Sequence, residues 1–481
     1  MTTRGLVDPL RSAVLSLMEL TSVPILVYFV VINLSYLLLI VLAALDFRVQ
    51  LRRRQASVES FGGAMTPGVS LLVPAYNEEM GIVTSVQALL SLRYPRHEVV
   101  VVDDGSTDGT FERLRAAFDL VPIPRQIPAE VPVRARVLGV HVPRDGRTRL
   151  IVVRKENSGK HEAVNLAISA ATEPLVAMID ADSVLEPDAL LRVTRPFVDD
   201  PTRMIATGGA IRPVNGSRVV AGRVVHVRLP SAWLARIQVV EYLRAFLLGR
   251  TGWSRFGALI LISGAFGVFR RDVLVEVGGL NPDSIGEDFE LVLRIHRRLR
   301  DEGRDYRVGF VPEPVLWTEV PSTLSVLRNQ RRRWHRGLWE TLWAYRAMVL
   351  RPRYGKVGMV ALPYYWAFEL FAPLLELFGI VIVPLALLLG VVDIPYALLF
   401  LSVAYGLAIF VNLAAMAAEE WSFHRHERWR DLGLTLVAAV FENVGYRQLT
   451  LWWRLEGWWA SLRRKQQVWG VMTRAGFEEA S

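Results

Sequence analysis

The chain has 481 residues, no cysteine, and 56 Lys plus Arg against 47 Asp plus Glu, a formal charge of +9. Without cysteine there is no disulfide framework, thiolate zinc site, Fe–S cluster or thiol nucleophile. Hydrophobic residues reach 52%, against roughly 45–50% in soluble domains, and the mean hydropathy is positive, so part of the chain belongs in lipid. The positive charge is scattered as Arg, which suits juxtamembrane anchoring or phosphate binding and argues against nucleic acid as a partner.

Residues 1–54 form an N-terminal segment in which 23–45 carry no charge. At about 1.5 Å per residue this run crosses a hydrocarbon core of about 30 Å. It is too long for the apolar region of a signal peptide. Arg48, Arg52, Arg53 and Arg54 follow and place that side in the cytoplasm.

Residues 66–350 read as a water-soluble α/β domain. Short apolar runs such as VSLLVPAY, HEVVVVDDG and PLVAMIDAD alternate with helical patterns, predicting a parallel sheet buried on both faces. Residues 121–149 are rich in Pro and Arg and read as an insertion loop. Residues 232–250 form a helix that either lies on the membrane plane or packs on its own core. A second interfacial helix is expected near 335–350. From 357 to 460 the chain turns apolar again, with 371–392 and 394–418 each long enough to span. Residues 432–460 contain Glu442, Asn443, Arg447 and Arg454, and charges in such a segment usually face a cavity or polar path. This stretch either dips and returns, bending at Gly445, or crosses fully. A cytoplasmic tail, 461–481, ends the chain.

Four acidic clusters punctuate the soluble domain: Tyr76-Asn77-Glu78, Asp103-Asp104, Asp180-Ala181-Asp182 and Glu287-Asp288. In a parallel sheet, ligands bind beyond the carboxyl ends of the strands, where the first three fall. Two carboxylates at i and i+2 can share a divalent ion with a diphosphate; a solvated acidic loop explains them equally well. If the strand continued, Asp180 and Asp182 would point to opposite sides. Glu287 and Asp288 open a helical run, where a carboxylate serves either as a cap or as a general base. The loop 155–160, ending in Lys160 before a helix, suits phosphate, but its spacing is not that of a P-loop. Gln330-Arg331-Arg332-Arg333-Trp334 is either a phosphate grip with a sugar platform or a basic collar before the membrane.

In this order and spacing, with flanking membrane segments, these motifs resemble the membrane-embedded, processive members of glycosyltransferase family 2. That group includes cellulose, hyaluronan, chitin and poly-N-acetylglucosamine synthases. The resemblance implies an α/β GT-A catalytic domain joined to transmembrane and interfacial helices. It implies that Tyr76, Glu78, Asp103 and Asp104 hold uridine and that Lys160 lies near the nucleotide or pyrophosphate. Asp180 and Asp182 would hold the diphosphate and Mg²⁺ or Mn²⁺, with Asp182 the more direct ligand. Asp288, beside Glu287, would deprotonate the acceptor hydroxyl. Gln330, Arg331 and Arg333 would grip the pyrophosphate, and Trp334 would stack on the acceptor sugar. Ser263 and Gly264 align with the loop lining the acceptor site. Trp469, Thr473 and Arg474 resemble a gating loop at 469–474, although two residues separate Gly470 from Thr473.

The leading expectation is a polysaccharide synthase of the bacterial cytoplasmic membrane, with its catalytic domain in the cytoplasm. It would extend a β-linked polymer from a UDP-sugar, UDP-GlcNAc first and UDP-glucose second, and pass it through its own channel. Its partners would be the donor, the growing polysaccharide and the lipid bilayer, with room for an accessory export subunit. Transfer of a single sugar to a membrane lipid is the alternative enzyme. A catalytically dead scaffold is the non-enzymatic one, and intact Asp182, Asp288 and Trp334 argue against it.

Overall fold

Runs of Val, Leu and Ile bounded by Gly and Pro form the strands, as their burial demands. The computed structural model describes residues 4–55, 66–423 and 429–463. In chain order the strands are β1 Val69–Ala75, β2 His97–Asp104, β3 Leu120–Ile123, β4 Val137–Pro143, β5 Leu150–Lys155 and β6 Leu175–Ile179. They continue as β7 Val184–Leu185, β8 Met204–Pro213, β9 Arg218–Val220, β10 Arg223–His226, β11 Phe266–Arg270 and β12 Arg307–Thr318. Ten of them make one sheet in the order β3-β4-β5-β2-β1-β6-β11-β8-β12-β7, and β9 and β10 make a separate hairpin.

The parallel expectation holds for β5, β2, β1 and β6. Leu71, Leu72, Val100 and Val152 there are fully buried. It holds again between β8 and β12 and fails at β11, β7, β3 and β4. β11 runs antiparallel to both β6 and β8. Phe266 pairs with Ile179, so the chain re-enters the sheet at the end where β6 leaves it. That reversal carries Ser263 and Gly264 to the same edge as Asp180.

The segment 121–149 is not simply a loop. β3 and β4 pair antiparallel and extend the edge beyond β5. Pro122 and Pro143 masked them, because proline lacks the N–H that a strand ladder uses and reads as a strand breaker. Between them the chain crosses the helix Lys160–Ala170. The Arg134 and Ala135 N–H groups donate to Glu162 Oε2 at 3.3 and 3.2 Å.

Among the described residues, three helical stretches are long and apolar enough to cross a membrane: Asp8–Phe47, Val357–Leu388 and Ala397–Glu420. The first lies in a helix of 52 residues, Arg4–Gln55, far longer than the uncharged run 23–45. The predicted spans 371–392 and 394–418 correspond to helices Ala372–Leu388 and Ile394–Phe423. The stretch 432–460 is two helices, Trp429–Phe441 and Arg447–Leu462. They are separated where Gly445 adopts φ 95°, ψ −60°, a conformation that only glycine takes cheaply. At 13 and 16 residues the arms are about 20 and 24 Å long, short of a core of about 30 Å.

Both interfacial helices differ from their predicted limits. The first runs Trp233–Tyr242, continues as π-helical turns over Leu243–Arg250, and ends with Thr251–Phe256. Its apolar residues Ile237, Val240 and Leu247 are buried, so this face packs on protein rather than lying on lipid. The second starts earlier, as Leu324–Ala344, and therefore contains Gln330 and Trp334 instead of following them. The broken C-terminal pair packs on both. Trp233 meets Phe441 at 5.8 Å between ring centres, and Trp339 meets Trp458 at 5.0 Å.

Candidate active site

The carboxyl ends of β1, β2 and β6 and the loop before β11 open onto one cavity of about 2130 Å³. Tyr76, Glu78, Asp104, Lys160, Asp180, Asp182, Ser263 and Gly264 line it. So do Glu287, Asp288, Gln330, Arg331, Arg333 and Trp334. Residues far apart in sequence are thus brought to one space by the sheet topology. The cavity continues past them to Tyr36, Phe368, Glu376, Glu442, Arg447 and Arg454 among the apolar helices. Three of the four polar residues noted in 432–460 therefore face it; Asn443 instead donates to the Ala439 carbonyl. Trp469, Thr473 and Arg474 lie outside the described residues.

Asp103 is buried at the end of β2 and does not line the cavity. Its Oδ1 accepts from the Ser106 N–H at 3.0 Å, which closes the turn after β2. Asp104 orders the next loop. Its carboxylate takes the N–H groups of Ser158 and Gly159 at 3.0 and 2.9 Å and pairs with the fully buried Lys155. Lys155 is therefore turned into the fold, and Lys160 is the lysine of this loop that meets the cavity. Lys155→Met leaves a buried carboxylate without its cation. We expect a loss of about 3–5 kcal/mol, seen as a lower midpoint of thermal unfolding.

β6 ends at Ile179, and the Ser183 N–H donates to the Asp180 carbonyl at 3.0 Å. The turn removes the strand alternation, so Asp180 and Asp182 line the same cavity rather than opposite sides. Lys160 Nζ lies 2.5 Å from Asp180 Oδ1. Burial disfavours its charge, but Asp180, Glu287 and Asp182 outweigh this and make the ammonium more basic than usual.

The two carboxylates offer the hard oxygen donors that Mg²⁺ and Mn²⁺ take. Among the described residues no group of three or more His, Cys, Asp or Glu converges as a ligand set. An ion here would complete its shell with water and diphosphate oxygens, and the residues fit such an ion.

Glu287 and Asp288 open the helix Glu287–Asp301. Asp288 accepts from the Phe289 N–H at 2.8 Å and the Gly264 N–H at 2.9 Å. Burial, and then the neighbouring Glu287 charge, push its carboxyl above the ordinary range despite those bonds. Glu287 goes the other way: burial works against its charge, but His161 and Lys160 hold it below the ordinary range. Two adjacent carboxylates thus differ sharply in basicity, the pattern that separates a base from a spectator.

Asp288 is placed by a glycine contact. A Cβ on Gly337 would come 3.0 Å from the backbone of Gly286, where this helix crosses Leu324–Ala344. Gly337→Ala should push the two helices apart by a few tenths of an ångström and cost about 1–3 kcal/mol. A displacement of that size between Asp288 and Trp334 should slow turnover by about tenfold. Initial rate and unfolding midpoint, measured together, check this.

Arg331 is not simply exposed to the cavity. Its guanidinium forms a two-pronged ion pair with Glu241 at 2.6 and 2.8 Å, and the Tyr446 hydroxyl donates to the same carboxylate at 2.9 Å. Trp334 lies over this guanidinium at 4.6 Å and is itself half-exposed. Farther along, Arg244 and Asn412 each donate to Glu442 at 2.9 Å. Arg447 pairs with Glu376 at 2.7 Å. Glu241, Arg244 and Tyr446 were missed from sequence. Their signal was weak, since a charge or phenol in an amphipathic helix reads as its solvent face until the opposing helix is known.

Known proteins resemble this chain in sequence. Poly-beta-1,6-N-acetyl-D-glucosamine synthase of Staphylococcus aureus strain COL is 28% identical over 277 residues, 57% of this chain and 55% of that protein. The protein of the same name from Staphylococcus epidermidis is 28% identical over 275 residues, again 57% and 55%. The match spans about half the length of these curated relatives. The mannosyltransferase PcManGT from Pyrobaculum calidifontis, solved with GDP-Man and Mn²⁺, superposes with a TM-score of 0.49 at 18% identity, covering 92% of this chain and 99% of that one. The expected α/β domain is present, and the family match places the protein among the glycosyltransferases. The family model described as glycosyltransferase like family 2 matches residues 67–337, more than half of the chain, and the chain belongs to that family.

Proposed function

We propose that the protein is a processive, inverting glycosyltransferase that polymerises a UDP-sugar, UDP-GlcNAc first, into a β-linked polysaccharide and passes it through its own membrane channel. The observation that carries this reading is the continuity of the cavity from the strand-end carboxylates to the apolar helices. A transferase of single sugars needs the first half of that space and not the second. The similarity to poly-beta-1,6-N-acetyl-D-glucosamine synthases favours GlcNAc over glucose. Arg48, Arg52, Arg53 and Arg54 at the end of the first long helix support a cytoplasmic catalytic domain in a cytoplasmic membrane.

In this mechanism Tyr76, Glu78 and Asp104 border the uridine, with Asp103 holding the adjoining turn. Asp180 and Asp182 would hold the divalent ion, which would supply charge neutralisation for the leaving diphosphate. Lys160, Gln330 and Arg333 complete the diphosphate grip. Trp334 supports the acceptor ring, with Ser263 and Gly264 alongside. Asp288 takes the proton of the acceptor hydroxyl as its oxygen bonds to the anomeric carbon. The bond from that carbon to the diphosphate oxygen breaks in the same step, and UDP leaves. The raised basicity of Asp288 suits it to this transfer near neutral pH.

The test is UDP release by the purified full chain with Mn²⁺, donor by donor, with sizing and linkage-specific digestion of the product. High-molecular-weight, GlcNAc-containing product is the expected result. Polymer from UDP-glucose alone would make it a β-glucan synthase. UDP release with a single lipid-linked sugar would replace the polymerase reading.

A further inference from the structure

Arg250 ends the π-helical turns Leu243–Arg250 and lines the cavity. The cavity arginines Arg244, Arg331, Arg336 and Arg447 are each paired with a carboxylate. Arg250 makes no hydrogen bond or ion pair among the described residues. Its Nη1 is buried without a partner. Its guanidinium instead lies over the Phe246 ring at 3.9 Å. Burial holds it below the usual arginine basicity, and the charge of Asp288 reaches it. A buried guanidinium nitrogen without a partner is costly, so its place in the wall calls for an oxygen-bearing ligand.

The surroundings say which ligand. Tyr242, Phe246, Trp253 and Tyr365 line the cavity beside Arg250. Tyr365 stacks on Phe289 at 5.7 Å between ring centres, and Phe289 adjoins Asp288. Aromatic walls suit the apolar faces of a sugar ring, and an Arg fork suits its oxygen substituents. The arrangement sits at the base, on the side of the interfacial helices.

We propose that Arg250 determines acceptor specificity, donating hydrogen bonds to a carbonyl or hydroxyl oxygen of the terminal acceptor sugar and rejecting an ammonium at that position. This rests on the proposed glycosyl transfer and adds to it the chemical class of acceptor end. An N-acetylated sugar is accepted, and its de-N-acetylated counterpart is repelled by the fixed positive charge.

The experiment uses the full chain, short β-linked GlcNAc oligosaccharides as primers, and saturating UDP-GlcNAc. Affinity for UDP is measured separately by direct binding, which also reports folding. Arg250→Met should raise the primer KM by about 10–100-fold and leave UDP affinity unchanged. Arg250→Lys should recover part of the loss, since it restores charge without the fork. With de-N-acetylated primer the wild type should be poor, and Arg250→Met should lose that discrimination. A parallel fall in UDP affinity would overturn the proposal and assign Arg250 to the diphosphate. An unchanged primer KM would overturn it outright while glycosyl transfer stands. No UDP release by the wild type from any nucleotide-sugar would sink the transferase mechanism itself.

Discussion

Asp288→Asn should lower the transfer rate by about 10²–10⁴-fold, the range expected when a general base is removed. UDP affinity should stay unchanged, because the proposed mechanism puts Asp288, bonded to the Gly264 N–H, on the acceptor side. The pH dependence gives an independent check. The proposed mechanism requires the carboxylate, so the rate should fall as pH drops through the Asp288 pKa. Burial and Glu287 raise that pKa, so the acid limb should lie above the ordinary carboxylate range of about 4. Glu287→Gln removes the second cause and should move the limb down. An acid limb that does not respond to Glu287→Gln would assign the titration to another group.

The same shift has a consequence for stability, with a definite sign. A carboxylate whose folded pKa exceeds its unfolded value destabilises the fold at pH above both, and the cost sets in as pH rises between them. Asp288→Asn removes that cost. The variant should therefore unfold at a higher temperature than wild type at neutral pH and show no gain at pH below about 4. An inactive but more stable protein separates loss of the base from misfolding.

Much of this site was legible because its chemistry is written in short motifs at strand ends. Val99 to Val102 announce a buried strand, and Asp103 and Asp104 follow it directly. Less legible was which member of each pair faces the ligand. Asp103 and Asp104 look equivalent in sequence, yet only the second reaches the cavity, because the Ser106 turn takes the first. Lys155 and Lys160 likewise share a loop and are sorted only by Asp104 across the neighbouring strand. The outermost strands β3 and β4 were hidden by proline and by one-sided exposure. The antiparallel β11 was hidden because strand direction depends on where an 86-residue excursion, 180–265, brings the chain back. Arg250 and Glu241 carried no local signal, since their meaning lies in contacts between helices far apart in sequence.

The second large effect concerns Arg331, which the family resemblance places on the diphosphate beside Arg333. Its two bonds to Glu241, closed by the Tyr446 hydroxyl, tie the helix Leu324–Ala344 to the first interfacial helix and to the break at Gly445. Glu241→Gln leaves the buried Arg331 charge without its partner, at a cost of about 3–5 kcal/mol, and Arg331→Met, which leaves the half-buried Glu241, costs less. The double variant leaves neither, so its unfolding midpoint should lie above that of at least one single variant. Simple additivity would instead show that the pair contributes no coupling. Function should divide along the same line. Trp334 rests on the Arg331 guanidinium, so Glu241→Gln should loosen the acceptor platform and shorten the product while UDP affinity holds. Arg333→Met should weaken UDP by about 10–100-fold, as loss of a charged hydrogen-bond donor to phosphate does. If Glu241→Gln weakens UDP as much as Arg333→Met, Arg331 grips the diphosphate in the working enzyme and the ion pair with Glu241 is only its resting state.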